Sequence, residues 1–401
     1  MTMMRVLVWP QGAGWIRRWL QGIVSACLLM LLVGGCALPQ VSAEDRLFLD
    51  LSAELVGNCV LPKQSFDGEP VGGISAIAYD VPRDRLYGLS DNRDRPRFYT
   101  FSVKGALAGS LANNTQNGRN PLALAVDSVT YLKDLDGNPY PAGSLDPEGM
   151  AITPSNTLLI STEGSPRAQI PPTIGEYNIE TGQLTQMIPV PSRYVPDEVE
   201  VQTRGVQENL SFEALAVNVS SGTGGVYEPY RLFVATEGPL LQDLDFEPEI
   251  PYKNRLLHYT IDPYQTTLIS EHLYEMDLAP TGAVLHGVPE IAVLDQGGHF
   301  LSLERSYGFQ GFAIKLYQLA SGGATDISTV ESLRGDVNGI SPIQKELVLD
   351  LGSLDLPLQN YEAMTFGPDI DSRHRSLLVM SDDNFSDDQE TSLLVFQINA
   401  L

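Results

Sequence analysis

Five copies of one two-strand layout run along the chain and limit what it can fold into. In each copy a short apolar strand is followed by a turn and by a second apolar strand that ends in polar or acidic residues. The matching positions on the first strands lie between 65 and 77 residues apart; they are Ser75, Glu148, Glu213, Glu290 and Glu362. No long helical periodicity appears after residue 45. The pattern predicts an all-β repeat protein.

Two more strand-like runs follow the pair in the middle copies. They lie at 173–179 and 184–190, at 255–261 and 268–276, and at 312–319 and 346–351. Four strands per copy are typical of a β-propeller blade. The repeat is longer than the roughly 40–50 residues of common blades, and long Pro-rich acidic connections at 191–209 and 239–252 account for the surplus. The sequence predicts five four-stranded blades, with a sixth blade hidden in the connections as the alternative.

The last copy indicates how the ring closes. It contains three strand-like runs before the chain stops, at 361–366, 377–381 and 392–398. The apolar run at 46–51 is the candidate for the missing fourth strand. Closing the last blade with this N-terminal strand leaves no open seam between the first and last blades.

Residues 1–35 have the features of an export signal. A basic start without acidic residues precedes an apolar run at 23–33, which is too short to span a bilayer comfortably. The run ends in Leu32-Val33-Gly34-Gly35-Cys36, which resembles a bacterial lipobox, where the cysteine becomes the lipidated first residue. Ordinary cleavage near Ala43 is the alternative. We therefore predict a lipoprotein-type signal over 1–35, a tether over 36–45 and the propeller over 46–401, membrane-anchored in the periplasm or cell envelope of a bacterium.

Charge and cysteine content limit which kinds of partner and which cross-links are expected. The chain has 25 Lys and Arg against 50 Asp and Glu, a net charge of −25, which repels nucleic acid and anionic lipid. We expect no nucleic-acid partner and membrane contact only through lipid on Cys36. Cys27 lies in the signal, so Cys59 has no intramolecular partner and no disulfide framework is expected. Oligomeric state is left open.

Acidic residues recur at two places in the repeat. The first strands carry Glu148, Glu213, Glu290 and Glu362, with Ser75 breaking the series. The second strands end in Asp91, Glu163, Glu237, Glu304, and Asp382 with Asp383. Because innermost strands line the channel of a propeller, these carboxylates would converge, and a cation such as calcium would relieve their repulsion. The alternative is a structural role, in which each Glu caps turn amides or bonds a neighbouring blade.

Three arginines stand just beyond second strands: Arg93, Arg167 and Arg305. In an acidic protein they are candidates for binding an anionic substrate group, and ion pairs with nearby carboxylates are the alternative. No Gly-x-Ser-x-Gly motif occurs, so a hydrolase serine nucleophile has no local signature. The five histidines show no metal-ligand spacing.

Several motifs, in order, resemble the bacterial phytase-like family, also described as esterase-like activity of phytase. The motifs lie at 72–77, 86–91, 146–150, 211–215 and 360–364, and the resemblance covers about residues 70–398. It implies an exported protein that hydrolyses phosphate or other esters. The Pro147-Glu148-Gly149 segment is also similar to the metal-binding Glu of lactonase-type propellers.

Two functional hypotheses follow. In the first, the protein is an exported, calcium-assisted hydrolase of phosphate esters or related esters and takes a small anionic ester. Glu148, Glu213, Glu290 and Glu362 would be ligands or general base, the second-strand acids further ligands, and Arg93, Arg167 and Arg305 would bind the anion. In the second, it is a non-catalytic surface propeller that binds a ligand or partner through its long loops, with structural Glu residues.

Overall fold

The computed structural model describes residues 47–104, 122–197, 201–219 and 228–399. The predicted export signal, the lipid site Cys36 and the tether lie outside these residues. The chain divides after Leu47, and every element below belongs to Phe48–Leu401. None of the helices in the described part of the chain is long and apolar enough to cross a membrane.

The described residues form a five-bladed β-propeller of four-stranded antiparallel blades, as predicted. Blade one comprises β4 (Ile74–Asp80), β5 (Arg85–Ser90), β6 (Arg97–Lys104) and β7 (Ala123–Tyr131). Blade two comprises β8 (Pro147–Ile152), β9 (Thr157–Thr162), β10 (Thr173–Asn178) and β11 (Leu184–Ile188). Blade three comprises β12 (Phe212–Val219), β13 (Tyr230–Thr236), β14 (Lys253–Ile261) and β15 (Thr266–Glu275). Blade four comprises β16 (Ala283–Val293), β17 (His299–Gly308), β18 (Gly311–Ala320) and β19 (Gln344–Asp350); blade five β20 (Asn360–Asp369), β21 (His374–Asp382), β22 (Thr391–Asn399) and β1 (Ala53–Leu61). A small hairpin of β2 (Ser65–Phe66) and β3 (Glu69–Pro70) and three 3-10 turns, Pro166–Ala168, Ser192–Tyr194 and Leu351–Ser353, complete the described elements.

The N-terminal strand closes the ring, but not with the residues expected. Strand β1 pairs antiparallel with β22, from Ala53 opposite Ile398 to Leu61 opposite Thr391, so the closing strand is 53–61 rather than 46–51. Strand β1 alternates more and less exposed residues, as an outer strand covered on one side does. The run at 46–51 lies just before it, and Leu51 packs against the core between blades four and five.

The apolar cores lie between the faces of neighbouring blades. Between blades two and three, for example, Leu159 and Ile174 pack with Leu232 and Val234. A similar cluster joins each other adjacent pair, including blades five and one. Because every blade is covered on both faces, its strands are apolar on both sides, and each large buried side chain contributes roughly 1.5–3 kcal/mol. This closed stack fixes where the inner strands begin.

Candidate metal-binding and active site

Each of the five inner strands contains a β-bulge where it pairs with the second strand of its blade, near its start in blades one, two, three and five and in the middle of the strand in blade four. The register shifts lie between Ile74 and Ala76, Pro147 and Met150, Phe212 and Ala214, Gly287 and Glu290, and Tyr361 and Ala363. A bulge leaves a residue unpaired and redirects its side chain. Ser75, Glu148, Glu213 and Glu362 lie in these bulges, so the fold re-aims them at the same end of the inner strands.

In blade four the Glu lies one residue away from the position that the alignment of the copies predicts. Met150, Leu215, Ile291 and Met364 are matching inner-strand positions, since each packs into the core shared with the preceding blade. In blades two, three and five the Glu lies two residues before this apolar residue, whereas Glu290 lies immediately before Ile291. Pro289 therefore occupies the place of the Glu in blade four.

Glu290 is consequently separated from the other predicted acids. Its carboxylate accepts hydrogen bonds from the backbone amides of Leu215, at 3.1 Å, and Ile291, at 3.0 Å, and also from the Met364 amide. Burial raises its pKa well above the ordinary value, and no neighbouring carboxylate contributes to that shift. It joins β16 to β12 and β20, which is the structural role considered above for a Glu at this strand.

The second strand of blade four is displaced in the same sense. Arg305, not Glu304, faces the inner acids, because successive strand residues point to opposite faces. Glu304 accepts a hydrogen bond from the Tyr274 hydroxyl at 2.9 Å and pairs with Lys345 at 2.5 Å. The predicted metal residue Glu304 therefore lies between blades, away from the carboxylates that converge.

Two acidic trios form where blades one to three meet the channel. One oxygen from each of Asp146, Glu148 and Glu163 lies within 4.8 Å of the others, and the same holds for Glu163, Glu213 and Glu237. Glu163 belongs to both trios, and one of its oxygens accepts a hydrogen bond from the Ser211 amide at 2.8 Å. Either trio has the spacing to hold a metal ion.

Asp146 was not among the predicted ligands. It lies two residues before Glu148 in extended backbone, and this separation puts two side chains on one face of a strand. That spacing is the signal in the sequence that identifies it.

The acids of blades one and five complete the cluster. Oδ1 of Asp91 is buried and has no hydrogen-bond partner among the described residues. Asp382 accepts from the Asn384 amide at 2.9 Å. Asp383 points elsewhere, accepting from the Gly73 amide at 2.8 Å and pairing with Lys63 at 2.5 Å. Asp383 therefore fastens blade five to the segment before β4.

The three predicted arginines have three different environments. The Arg305 guanidinium is buried and donates to Glu237 at 2.7 Å, to Asn360 at 2.9 Å and to Glu362. Asn360, a further residue that the sequence did not single out, also donates to Glu362 at 2.9 Å.

Arg93 is half-exposed and forms an ion pair with Asp146, in which Nε and Nη2 lie 2.7 Å and 2.5 Å from the carboxylate oxygens. Arg167 is exposed on the 3-10 turn 166–168, and its backbone amide donates to Glu208 at 3.2 Å. Of the three, Arg93 alone combines exposure with contact to an acidic trio.

Crowded and buried carboxylates hold their protons more tightly than free ones. Desolvation, with the neighbouring acids Asp382 and Asp146, raises the pKa of Asp91 to about 8. Desolvation and Glu237 raise the pKa of Glu163 to about 8, and desolvation and Asp383 raise that of Asp382 to about 6. The pKa values of Glu148, Glu213 and Glu362 also lie well above the ordinary value. Without a cation, the cluster is therefore partly protonated at neutral pH.

A cavity of about 430 Å³ opens beside the first trio. Arg93 and Asp146 line it next to the acids, and Thr162, Tyr177 and Met187 of blade two line it as well. A small molecule bound there would lie against the carboxylate cluster.

Residues 69–385 match the phytase-like family, described as esterase-like activity of phytase. This chain belongs to the phytase-like family. The matched range contains all five inner strands and every acid of the cluster. The resemblance found in the motifs is confirmed. None of the curated proteins compared with this phytase-like chain matches it.

Solved structures that are similar to this phytase-like protein include the following three chains. The endo-arabinase from Bacteroides thetaiotaomicron has 13% identity and a TM-score of 0.43, and the similarity covers 81% of this chain and 93% of the arabinase chain. The luciferin-regenerating enzyme has 12% identity and a TM-score of 0.36, covering 82% and 93%. The Dos1 propeller has 9% identity and a TM-score of 0.33, covering 82% and 68%.

Proposed function

We propose that this phytase-like propeller hydrolyses phosphate esters or related esters with the assistance of calcium. The observation that carries the proposal is the pair of acidic trios sharing Glu163, the first of which contributes Asp146 to the wall of a cavity that Arg93 also lines. A carboxylate cluster beside a ligand-sized cavity, with raised pKa values, is the arrangement expected of a hydrolytic site. Membership of the phytase-like family supports the reaction class.

The residues of the cluster fit a calcium ion. Carboxylate oxygens are its preferred ligands, and it accepts six to eight of them in loose geometry. The unpartnered Oδ1 of Asp91 and the raised pKa values of Glu148 and Glu163 indicate negative charge that the described residues do not neutralise. Asp146, Glu148 and Glu163, or Glu163, Glu213 and Glu237, would hold the ion, which would then supply charge neutralisation and polarise the ester oxygen.

The remaining roles follow from exposure. Glu148 and Glu213 are less deeply buried than Glu163 and Glu237, so the one that does not ligate the ion can reach a water molecule as general base. Arg93, half-exposed at the cavity, is placed to orient the anionic group of the ester. Arg305 has its donors engaged by Glu237, Asn360 and Glu362, so we assign it to holding these groups in position.

Hydrolysis assays on the full chain test the proposal. Turnover of an aryl phosphate and an aryl carboxylic ester should appear with calcium and disappear with chelator, and Glu163→Gln should lower kcat/KM by roughly 100-fold. Glu304→Gln provides the matched control, because that residue lies outside the cluster. If correctly folded protein turns over neither ester with calcium present, the hydrolase proposal fails.

A second candidate, a non-catalytic surface propeller, is favoured by one feature of blade four. The tips of β16 and β17 expose Val284 at 68% and Phe309 at 95%, with Leu285 and Tyr307 beside them. An exposed apolar patch of this kind suits a protein partner. If calcium leaves the melting temperature unchanged and neither ester is cleaved, this candidate replaces the hydrolase.

We further propose that the protein is exported and held in the bacterial envelope by lipid on Cys36. The basic start, the short apolar run and the lipobox-like residues 32–36 support this placement. The net charge of −25 supports a protein without a nucleic-acid partner. Cys36→Ser should release the protein from the membrane fraction, which fractionation and immunoblotting would show.

A further inference from the structure

The cavity beside the acidic trio has an apolar side. Tyr140, Tyr177, Leu184 and Met187 line it, and the two tyrosine hydroxyls lie 3.0 Å apart in a hydrogen bond with each other. Leu135, also in the lining, is 56% exposed, and Met187 is 42% exposed. A cavity of this size with a largely apolar wall is typical of sites for small organic molecules.

The charged residues around the same cavity limit how much negative charge a ligand can carry. Among the described residues that line the cavity, Arg93 is the one cationic side chain, and it already pairs with Asp146. Asp134 and Asp136 add two further carboxylates to the lining. A polyol carrying many phosphates would meet three carboxylates and one guanidinium, so its remaining phosphates would be repelled.

We infer that the substrates are monoesters joining one phosphate to an apolar, aromatic-sized alcohol, and not polyphosphorylated polyols; this inference rests on the proposed hydrolase function. The phosphate lies at Arg93 and the first trio, and the organic part lies against Tyr177 and Met187. In the reaction the oxygen of water bonds to phosphorus, the bond from phosphorus to the alcohol oxygen breaks, and the alcohol leaves with a proton that derives from water. The cavity thus selects substrates by the size and apolar character of their alcohol.

A substrate panel tests the inference with the full chain and calcium. The panel is 1-naphthyl phosphate, methyl phosphate and myo-inositol hexakisphosphate, with phosphate release as the readout. We expect kcat/KM for 1-naphthyl phosphate to exceed that for methyl phosphate by at least about 10-fold, since burying an apolar group of this size in a pocket gives discrimination of that order. Binding of the non-hydrolysable 1-naphthylmethylphosphonate is measured by calorimetry beside it.

Two matched variants locate the apolar part. Met187→Asp on the outer strand of blade two should raise KM for 1-naphthyl phosphate roughly 5-fold or more relative to its effect on methyl phosphate, because the new carboxylate repels both phosphates but removes an apolar contact of the naphthyl group alone. Leu347→Asp is the control, because Leu347 is similarly exposed, at 49%, on the outer strand of blade four. This substitution should leave KM unchanged for both substrates.

The outcomes separate the inference from the proposed function. Preference for the hexakisphosphate, or an equal effect of Met187→Asp on both monoesters, overturns the inference and leaves the hydrolase standing. Absence of turnover with phosphonate binding that Met187→Asp weakens overturns the hydrolase and supports the assignment of the cavity. Absence of both turnover and binding overturns both.

Discussion

The Nη2 atom of Arg305 lies 2.7 Å from Oε1 of Glu237, so blade four places a cation where the other blades place an acid. The same guanidinium also reaches Glu362. The negative charge of Glu237 and Glu362 is thereby balanced from within the protein. Glu237 belongs to the second trio, whereas the first trio, Asp146, Glu148 and Glu163, is paired with the half-exposed Arg93 through Asp146. The asymmetry of the ring therefore favours the first trio as the place for a cation.

Removing Arg305 should destabilise the fold strongly. Arg305→Met leaves Glu237 and Glu362 buried without their partner, and breaking a buried pair from one side typically costs 3–5 kcal/mol. The free energy of unfolding, from urea titrations, should fall by about that amount. Arg85→Met is the control, since its exposed pair with Asp127, at 3.7 Å, contributes under about 1 kcal/mol. Equal effects of the two substitutions would contradict the central role of Arg305.

Calcium should raise the melting temperature through Glu163. A ligand at 100 times its Kd stabilises the folded state by about 2.7 kcal/mol. Because Glu163 belongs to both trios, Glu163→Gln should abolish most of the calcium-dependent rise, which differential scanning fluorimetry with calcium and with chelator would measure. Glu304→Gln should keep the full rise even where it lowers the starting melting temperature. A calcium response lost equally in both variants would argue against the trios as the site.

Glu290 should behave as a structural residue. Burial raises its pKa well above the ordinary value, and Glu290→Gln is nearly isosteric and keeps an oxygen for the Leu215 and Ile291 amides. We expect a loss below about 1 kcal/mol for Gln and of about 2–5 kcal/mol for Ala, which leaves buried amides unpaired and a cavity. Urea unfolding measures both losses. Calcium response and any ester turnover should survive in Glu290→Gln, and their loss there would return Glu290 to the metal site.

The five-bladed fold was predictable because each blade repeats its turn chemistry and its alternation of apolar residues. The closing strand was misplaced because the run at 46–51, with four apolar residues of six, is as apolar as β1, with six of nine. Apolarity alone does not identify an outer strand, which is covered on one face and therefore alternates.

Much of the site was predictable, and its errors share one cause. Aligning the copies on their acidic residues put Glu290 and Glu304 one residue away from their true register. Aligning them on the large apolar residue, Ile291 in blade four, gives the correct register, since that residue is fixed by packing between blades. A one-residue error in a strand turns a side chain to the other face, which is why both residues lie outside the cluster. The ion pairs of Arg305 were beyond sequence reasoning, because they join three blades that are distant in the chain.

The stability of the chelated protein should fall as pH rises. In the folded chain the pKa values of Asp91 and Glu163 are about 8, whereas the unfolded values are about 4. Between those values the folded state binds more protons than the unfolded state, so the free energy of unfolding decreases with pH and the contribution is lost as pH passes about 8. With about 1.4 kcal/mol per pKa unit, urea titrations with chelator at pH 6 and pH 9 should differ by a few kcal/mol. Saturating calcium should reduce this difference, because the ion replaces the protons, and Glu163→Gln should reduce it in chelator. A chelated protein that is more stable at pH 9 than at pH 6 would show that these carboxylates are not crowded in the folded state.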